Sequence, residues 1–397
     1  MLKVSETHRS MPFPARKRVG WLFAGLLSLL PGLLLSLPAM AAPGDPPPGR
    51  LVDVGGYRLH IYCQGHGSPT VIMDSGLGGS SLEWEPVQQR ISKYTRACWY
   101  DRAGYGWSDP GPSPRDSEQI TSELRTLLRN ADIPGPYVLV GHSFGGYIAQ
   151  LFAKRFPTLT AGVVLVDSSH PEQVQRYLAP PIGINTAPSP NSTFVSFKGP
   201  PHVPAHMPAK LASTALWLLS QSKDRYAVAE EYMNFRRSAA EVEDAGPMPP
   251  VPLMVVTRGL REWKPDNSAR MGKLVEDLWR RLQDELASES PRSAHIVANH
   301  SGHHIHLDQP QLVADAISMI VDFARPHVPG PLENGPLATT WLAFNGGTWL
   351  SDRLHVNNEA PPAAMLTATL FAHAGHIAGR PNPAWQRIGY WEGLAMH

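Results

Sequence analysis

Cysteine is nearly absent, with two residues in 397. That excludes a disulfide-rich scaffold and a zinc site built on thiolates. Charge is sparse too: 17% of residues are charged, against about 25% in an average soluble domain. The net charge is +1 and no long basic run occurs, so no nucleic-acid partner is expected. No internal repeat is visible, which argues against a solenoid or propeller. What is abundant is apolar side chain, at 42%, with 40 prolines and 17 histidines. Such a chain can build a large core and is too apolar for disorder. Its length allows about two or three domains, or one α/β domain with insertions.

Arg9, Arg16, Lys17 and Arg18 precede a stretch, Val19 to Gly44, with no charge at all. Its middle is Leu-rich and it ends near Ala39-Met40-Ala41. A basic start, an apolar centre and a small-x-small end are the parts of an export signal, here residues 1–41. The apolar run is long enough that an uncleaved membrane anchor is the alternative, although Pro31-Gly32 would kink it. Residues 42–50 read as a Pro-rich linker.

Beyond the linker, short β-prone runs at Leu51–Val54 and Arg58–Cys63 flank Gly55-Gly56, which suits a hairpin. Buried strands are then expected at Thr70–Asp74, Arg96–Asp101, Tyr137–Ser143 and Gly162–Val166. Helices are expected at Leu82–Tyr94, Asp116–Ala131 and Phe144–Phe156. Alternating strands and helices predict a mostly parallel sheet flanked by helices. The rhythm stops from about 170 to 250, where Pro-rich and then helical sequence reads as an inserted cap. It resumes with a strand at Pro252–Thr257, a helix near 267–287, the short strand AHIVA and a last helix at about 309–323. Residues 326–397 show no clear rhythm and read as a poorly ordered tail.

Gly141-His142-Ser143-Phe144-Gly145 sits between a buried strand and a helix. In that setting G-x-S-x-G is a nucleophile elbow, a turn so tight that small residues must flank the serine. The turn would aim the Ser143 hydroxyl over the helix N-terminus, where backbone amides stabilise negative charge. A serine needs a base, and His303 in Asn299-His300-Ser301-Gly302-His303-His304-Ile305-His306 is the best placed candidate. Four histidines raise the question of a metal, but no acidic or cysteine co-ligand stands at a recognisable spacing. No metal and no cofactor are therefore expected, and His300, His304 and His306 are read as structural.

The segments DSGLGGSSLEW, YDRAGYGWSDPGPSPR, VLVGHSFGG and SGHHIHLDQPQLV together resemble the α/β-hydrolase superfamily over about residues 51–325. The resemblance implies an α/β-hydrolase fold with a helical cap before the late strands. It makes Ser143 the nucleophile and His303 the general base. It points to the backbone N–H groups of Leu77 and Phe144 as the oxyanion hole, although Ser75-Gly76-Leu77 lacks the family's usual histidine. The acid stays open. Asp167, at the end of GVVLVD, is favoured. Asp266 and Glu262 occupy the loop where most members carry the acid, but the usual Gly-x-x-Asp is missing there. Asp167 could also merely cap a loop. Asp101 and Arg102 are expected to brace loops under the elbow, and Tyr105 or Trp107 could line a pocket. In this fold's strand order the strands holding Cys63 and Cys98 are neighbours, so a disulfide is expected, with two buried thiols as the alternative.

The expected chemistry is hydrolysis of a small-molecule carboxylic ester through an acyl-enzyme. Peptidase, C–C hydrolase or acyltransferase chemistry on the same triad is the alternative within the family. A non-catalytic ligand-binding protein is the alternative outside it.

Overall fold

The computed structural model describes residues 47–183, 201–261, 269–325 and 367–369. Its centre is a nine-stranded sheet. The strands are β1 (Arg50–Asp53), β2 (Arg58–Gln64), β3 (Thr70–Asp74), β4 (Ala97–Tyr100), β5 (Tyr137–His142), β6 (Thr160–Val166), β7 (Leu253–Arg258), β8 (Ser293–Ala298) and β9 (Thr367–Thr369). Their spatial order is β1-β2-β4-β3-β5-β6-β7-β8-β9. The strands from β4 across to β8 run parallel, while β1, β2 and β9 pair antiparallel.

The helices are α1 (Glu85–Ile91), α2 (Ser117–Asn130), α3 (Gly145–Arg155), α4 (Gln173–Leu178), α5 (Ala209–Leu219), α6 (Ser222–Met233), α7 (Phe235–Asp244), α8 (Ala269–Ser288), α9 (Ile305–Asp308) and α10 (Pro310–Ala324). The expected helix at 82–94 divides into a 3-10 turn, Ser81–Trp84, and the short α1, because Pro86 restarts the helix. The α2 helix begins where Asp116 accepts from the Gln119 amide at 2.9 Å. Helices α4 to α7 fall between β6 and β7, in the stretch where the β/α rhythm breaks.

The central strands are buried end to end because both sheet faces are covered. Strand alternation sorts their side chains. Ile72, Leu139, Leu165 and Val255 pack with Leu124 and Leu127 of α2 and Ile148, Leu151 and Phe152 of α3. Val71, Met73, Val138, Val140, Val164 and Val256 pack on the other face with Val87 and Ile91 of α1 and Val313, Ile317 and Ile320 of α10. Each such buried aliphatic side chain contributes about 1.5–3 kcal/mol. At the other end of the sheet, Cys63 lies opposite Cys98 in the β2/β4 ladder and the two are joined as a disulfide, Cα to Cα 4.1 Å. Parallel strands send all their C-terminal ends to one edge, where ligand sites of open α/β sheets form.

Candidate active site

Five strand ends meet at that edge. The loop after β3 carries Gly76 to Gly79, β5 leads into Ser143, β6 leads into Asp167, β7 ends in Arg258, and the loop after β8 carries His303. Ser143 has φ of +50°, an unfavourable conformation for a residue with a side chain. The strain is locked in by hydrogen bonds. Its N–H donates to the Val166 carbonyl at 3.2 Å, and its own carbonyl accepts from Gly146 and Ser169 at 2.9 and 3.0 Å. The surrounding glycines are sterically required. A Cβ on Gly141 would lie 2.3 Å from the Gly145 carbonyl oxygen, and one on Gly145 would lie 2.5 Å from that of Asp74. One on Gly146 would lie 1.8 Å from Ser168 Oγ.

His303 Nδ1 donates to Asp167 Oδ2 at 2.6 Å. In the neutral ring that bond places the proton on Nδ1, so Nε2 is the nitrogen at which a further proton would bind. Asp167 is fully buried, and each of its oxygens accepts two hydrogen bonds. Oδ1 takes them from Trp279 Nε1 at 2.8 Å and from the Arg258 amide at 3.1 Å; Oδ2 takes them from His303 and from Arg258 Nη1 at 2.7 Å. Burial alone would raise its pKa, but the Arg258 charge and the bonds from His303 and Trp279 outweigh it and hold the carboxyl at about 2. Glu262 and Asp266, the other candidates for the acid, lie outside the described residues.

Ser143, His303, Leu77 and Gly76 line one cavity of about 440 Å³. Its far wall comes from the inserted segment: Pro201, His202 and Pro204, Leu219 of α5, and Asp224, Arg225 and Val228 of α6. Among the described residues, neither the Leu77 nor the Phe144 amide finds an acceptor in the protein. Asp224 is 2% exposed, and burial, with the nearby Asp101 and Glu231 charges, raises its carboxyl to about 7.

One expectation needs correction. Tyr105 and Trp107 are not among the residues lining the cavity. Trp107 packs on the His60 ring at 4.9 Å, and its amide donates to Asp101 Oδ2 at 3.0 Å, so it closes the loop on itself. His304 lines the cavity, with its ring 5.6 Å from that of His303. Arg258, Trp279 and Asp224 also belong to the site, and no short-range pattern in the sequence marks them. Glu83 did carry a signal: Ser80-x-x-Glu83 is a capping box, and the structure forms it.

Glu83, His142 and His306 offer donor atoms within 4.8 Å of one another and are the described residues that could hold a metal ion. They come from three separate segments, which is why no metal spacing shows in the sequence. Glu83 is already engaged. Oε1 accepts from the Ser80 amide at 2.9 Å, and Oε2 pairs with His306 Nε2 at 3.2 Å, whose ring stacks on Trp84. The trio therefore reads as a buried hydrogen-bonded Glu83–His306 pair beside His142. Burial opposes the charge on Glu83, yet the bond and charge of His306 lower its pKa. Burial, followed by the neighbouring imidazoles, pushes His142 well below the usual histidine range. His142 Nε2 faces the His303 carbonyl oxygen at 2.9 Å and ties the turn at Ser143 to the loop of His303.

The fold and this edge define a hydrolase-type α/β domain, and comparison with known proteins agrees. The profile of the Alpha/beta hydrolase family matches residues 66–316, and the chain belongs to that family. It is 28% identical over 271 residues to the uncharacterized protein YqjL of Bacillus subtilis, covering 68% of this chain and 90% of that one. It is 26% identical over 281 residues to an AB hydrolase superfamily protein of Gibberella zeae, covering 65% and 87%. Among solved structures, Cfl2 from Burkholderia cenocepacia superposes with a TM-score of 0.52 at 20% identity, covering 70% of this chain and 95% of that one. A thermophilic esterase from Thermogutta terrifontis gives 0.50 at 18% identity, covering 70% and 99%. At such identities the structures speak for the fold alone.

Proposed function

We propose that the protein is a serine hydrolase that cleaves carboxylic esters through an acyl-enzyme. The observation that carries this reading is the strained Ser143 in one cavity with His303, whose other nitrogen is bonded to the buried Asp167. In the proposed cycle, His303 Nε2 takes the Ser143 proton as Oγ attacks the ester carbonyl. The imidazolium is stabilised by Asp167, and the oxyanion rests on the Leu77 and Phe144 amides. His303 then protonates the departing alcohol. Water, deprotonated by the same nitrogen, releases the acid and frees Ser143. Epoxide-hydrolase and dehalogenase chemistry would need an aspartate where Ser143 stands.

The mixed cavity wall, with Leu219 and Val228 beside Asp224 and Arg225, suits a small ester with an apolar part. Export is part of the same proposal: the charge-free stretch to Gly44 and the Cys63–Cys98 bridge both favour an oxidising compartment. Among the described residues no helix is long and apolar enough to cross a membrane, and the N-terminal stretch lies outside them. Chain-length panels of p-nitrophenyl esters test the reading. Turnover of short and medium esters by the wild type, abolished in Ser143→Ala, is expected. A folded wild type inert on the whole panel contradicts it.

A further inference from the structure

Arg102 is 2% exposed, yet all five of its N–H groups are used. Nε and Nη2 grip Glu231 of the inserted helix α6 at 2.8 and 3.0 Å. Nη1 donates to Asp74 Oδ1 and to the Ser75 carbonyl at 2.5 and 2.6 Å. The second Nη2 hydrogen goes to the Gly76 carbonyl at 3.0 Å. Tyr105 completes the frame: its hydroxyl donates to Glu231 Oε2 at 2.6 Å and accepts from the Gly78 amide at 3.2 Å.

The Gly76 carbonyl belongs to the same peptide unit as the Leu77 N–H. That unit is planar and trans, so the two groups point in opposite directions. Holding the carbonyl toward Arg102 turns the Leu77 N–H away from it. Gly76 itself abuts Ser143, because a Cβ there would lie 3.2 Å from Ser143 Cβ. A cation on the carbonyl oxygen also polarises the peptide and makes its N–H a stronger donor, as in hydrogen-bond chains. The guanidinium lies 5.4 Å from the Phe144 ring as well, so it touches both segments that supply the oxyanion amides.

We propose that Arg102 is the positioning residue of the oxyanion hole and that Glu231, from the inserted helix, is required to hold it in place. This rests on the serine-hydrolase reading above. Glu231 shares α6 with Asp224 and Val228 of the cavity wall, so the element that encloses substrate also sets the amide that stabilises the transition state. The inserted segment is then part of the catalytic frame and not only a cover. Two buried acids would be left without their cation in Arg102→Gln, and that variant could fail to fold. Tyr105→Phe and Glu231→Gln are milder and keep the side-chain shapes.

The experiment measures kcat, KM and inhibition by a trifluoromethyl ketone matched to the best ester, for wild type and both variants, with folding checked by circular dichroism. Loss of a direct oxyanion donor costs about 10²–10³ in kcat, so a loosened donor is expected to cost roughly ten- to a hundredfold. KM should stay within about twofold, and the ketone should weaken by the same factor as kcat/KM. Variants that fold and keep wild-type kcat overturn the proposal. So does a fall in kcat with unchanged ketone affinity. A wild type with no ester turnover and no fluorophosphonate labelling overturns the underlying hydrolase reading instead, and the proposal with it.

Discussion

Replacing Asp167 by Asn keeps the side chain's size and removes its charge. Two effects follow, and they can be measured apart. The carboxyl is held at about 2, against an ordinary 3.8. That gap corresponds to about 2 kcal/mol of folding stability at neutral pH. The folded pKa is depressed, so this contribution is complete above the unfolded value near 4 and is lost as pH falls toward 2. The stability gap between wild type and Asp167→Asn should therefore be about 2 kcal/mol at pH 7 in urea unfolding and should narrow below pH 4. The catalytic effect is larger. Asn no longer supplies the negative charge that stabilises the imidazolium, and its amide can present N–H where His303 Nδ1–H needs an acceptor. The same change in a serine-protease triad costs about 10⁴ in kcat, and a loss of roughly 10³–10⁴ is expected here with p-nitrophenyl butyrate. The bond from Arg258 already shares Oδ2 with His303, which favours the lower end. A folded Asp167→Asn with activity within tenfold of wild type would refute the assignment of the acid. A stability gap unchanged between pH 7 and pH 3 would refute the electrostatic argument.

Other outcomes follow from the same structure. Asp224 has a raised carboxyl near 7, so folding becomes less favourable as pH climbs from about 4 through 7; Asp224→Asn should flatten that slope in urea titrations and be the more stable protein at pH 8. Removing the Cys63–Cys98 bridge with alanine at both positions opens a loop of sequence separation 35 and should cost about 4 kcal/mol by the chain-entropy argument, read as a lower urea midpoint. Gly146→Ala pushes a methyl into Ser168 Oγ, so stability should fall by about 1–3 kcal/mol and kcat should fall with it, because Gly146 also bonds the Ser143 carbonyl. Unchanged melting and turnover in that variant would show that the elbow is less tightly packed than described.

Much of this architecture is written in local pattern. The apolar run Tyr137–His142 followed by Gly145 and Gly146 can only be a covered strand turning sharply into a helix, and it is. Cys63 and Cys98 became a pair through strand order, and the β2/β4 register places them opposite each other. Boundaries were harder where a proline or a 3-10 turn divides a helix, as at Ser81–Trp84. Of the candidate site, Ser143 was legible because its tight turn demands small neighbours, and His303 because its loop follows the last parallel strand. The site's support was not. Arg258 and Trp279 reach Asp167 from 91 and 112 residues away, and Glu231 reaches Arg102 from 129 away. Contacts of that kind depend on how the layers stack, and side-chain periodicity carries no record of them. The strand Thr367–Thr369 is too short to show a period at all.

The proposed chemistry requires Ser143 to be an activated nucleophile. Incubation of the folded protein with a fluorophosphonate, followed by peptide mass mapping, tests that directly. One adduct per chain, on the peptide containing Ser143 and absent from Ser143→Ala, is the expected result. A folded wild type that takes up no label, or takes it up equally after Ser143→Ala, would contradict the account.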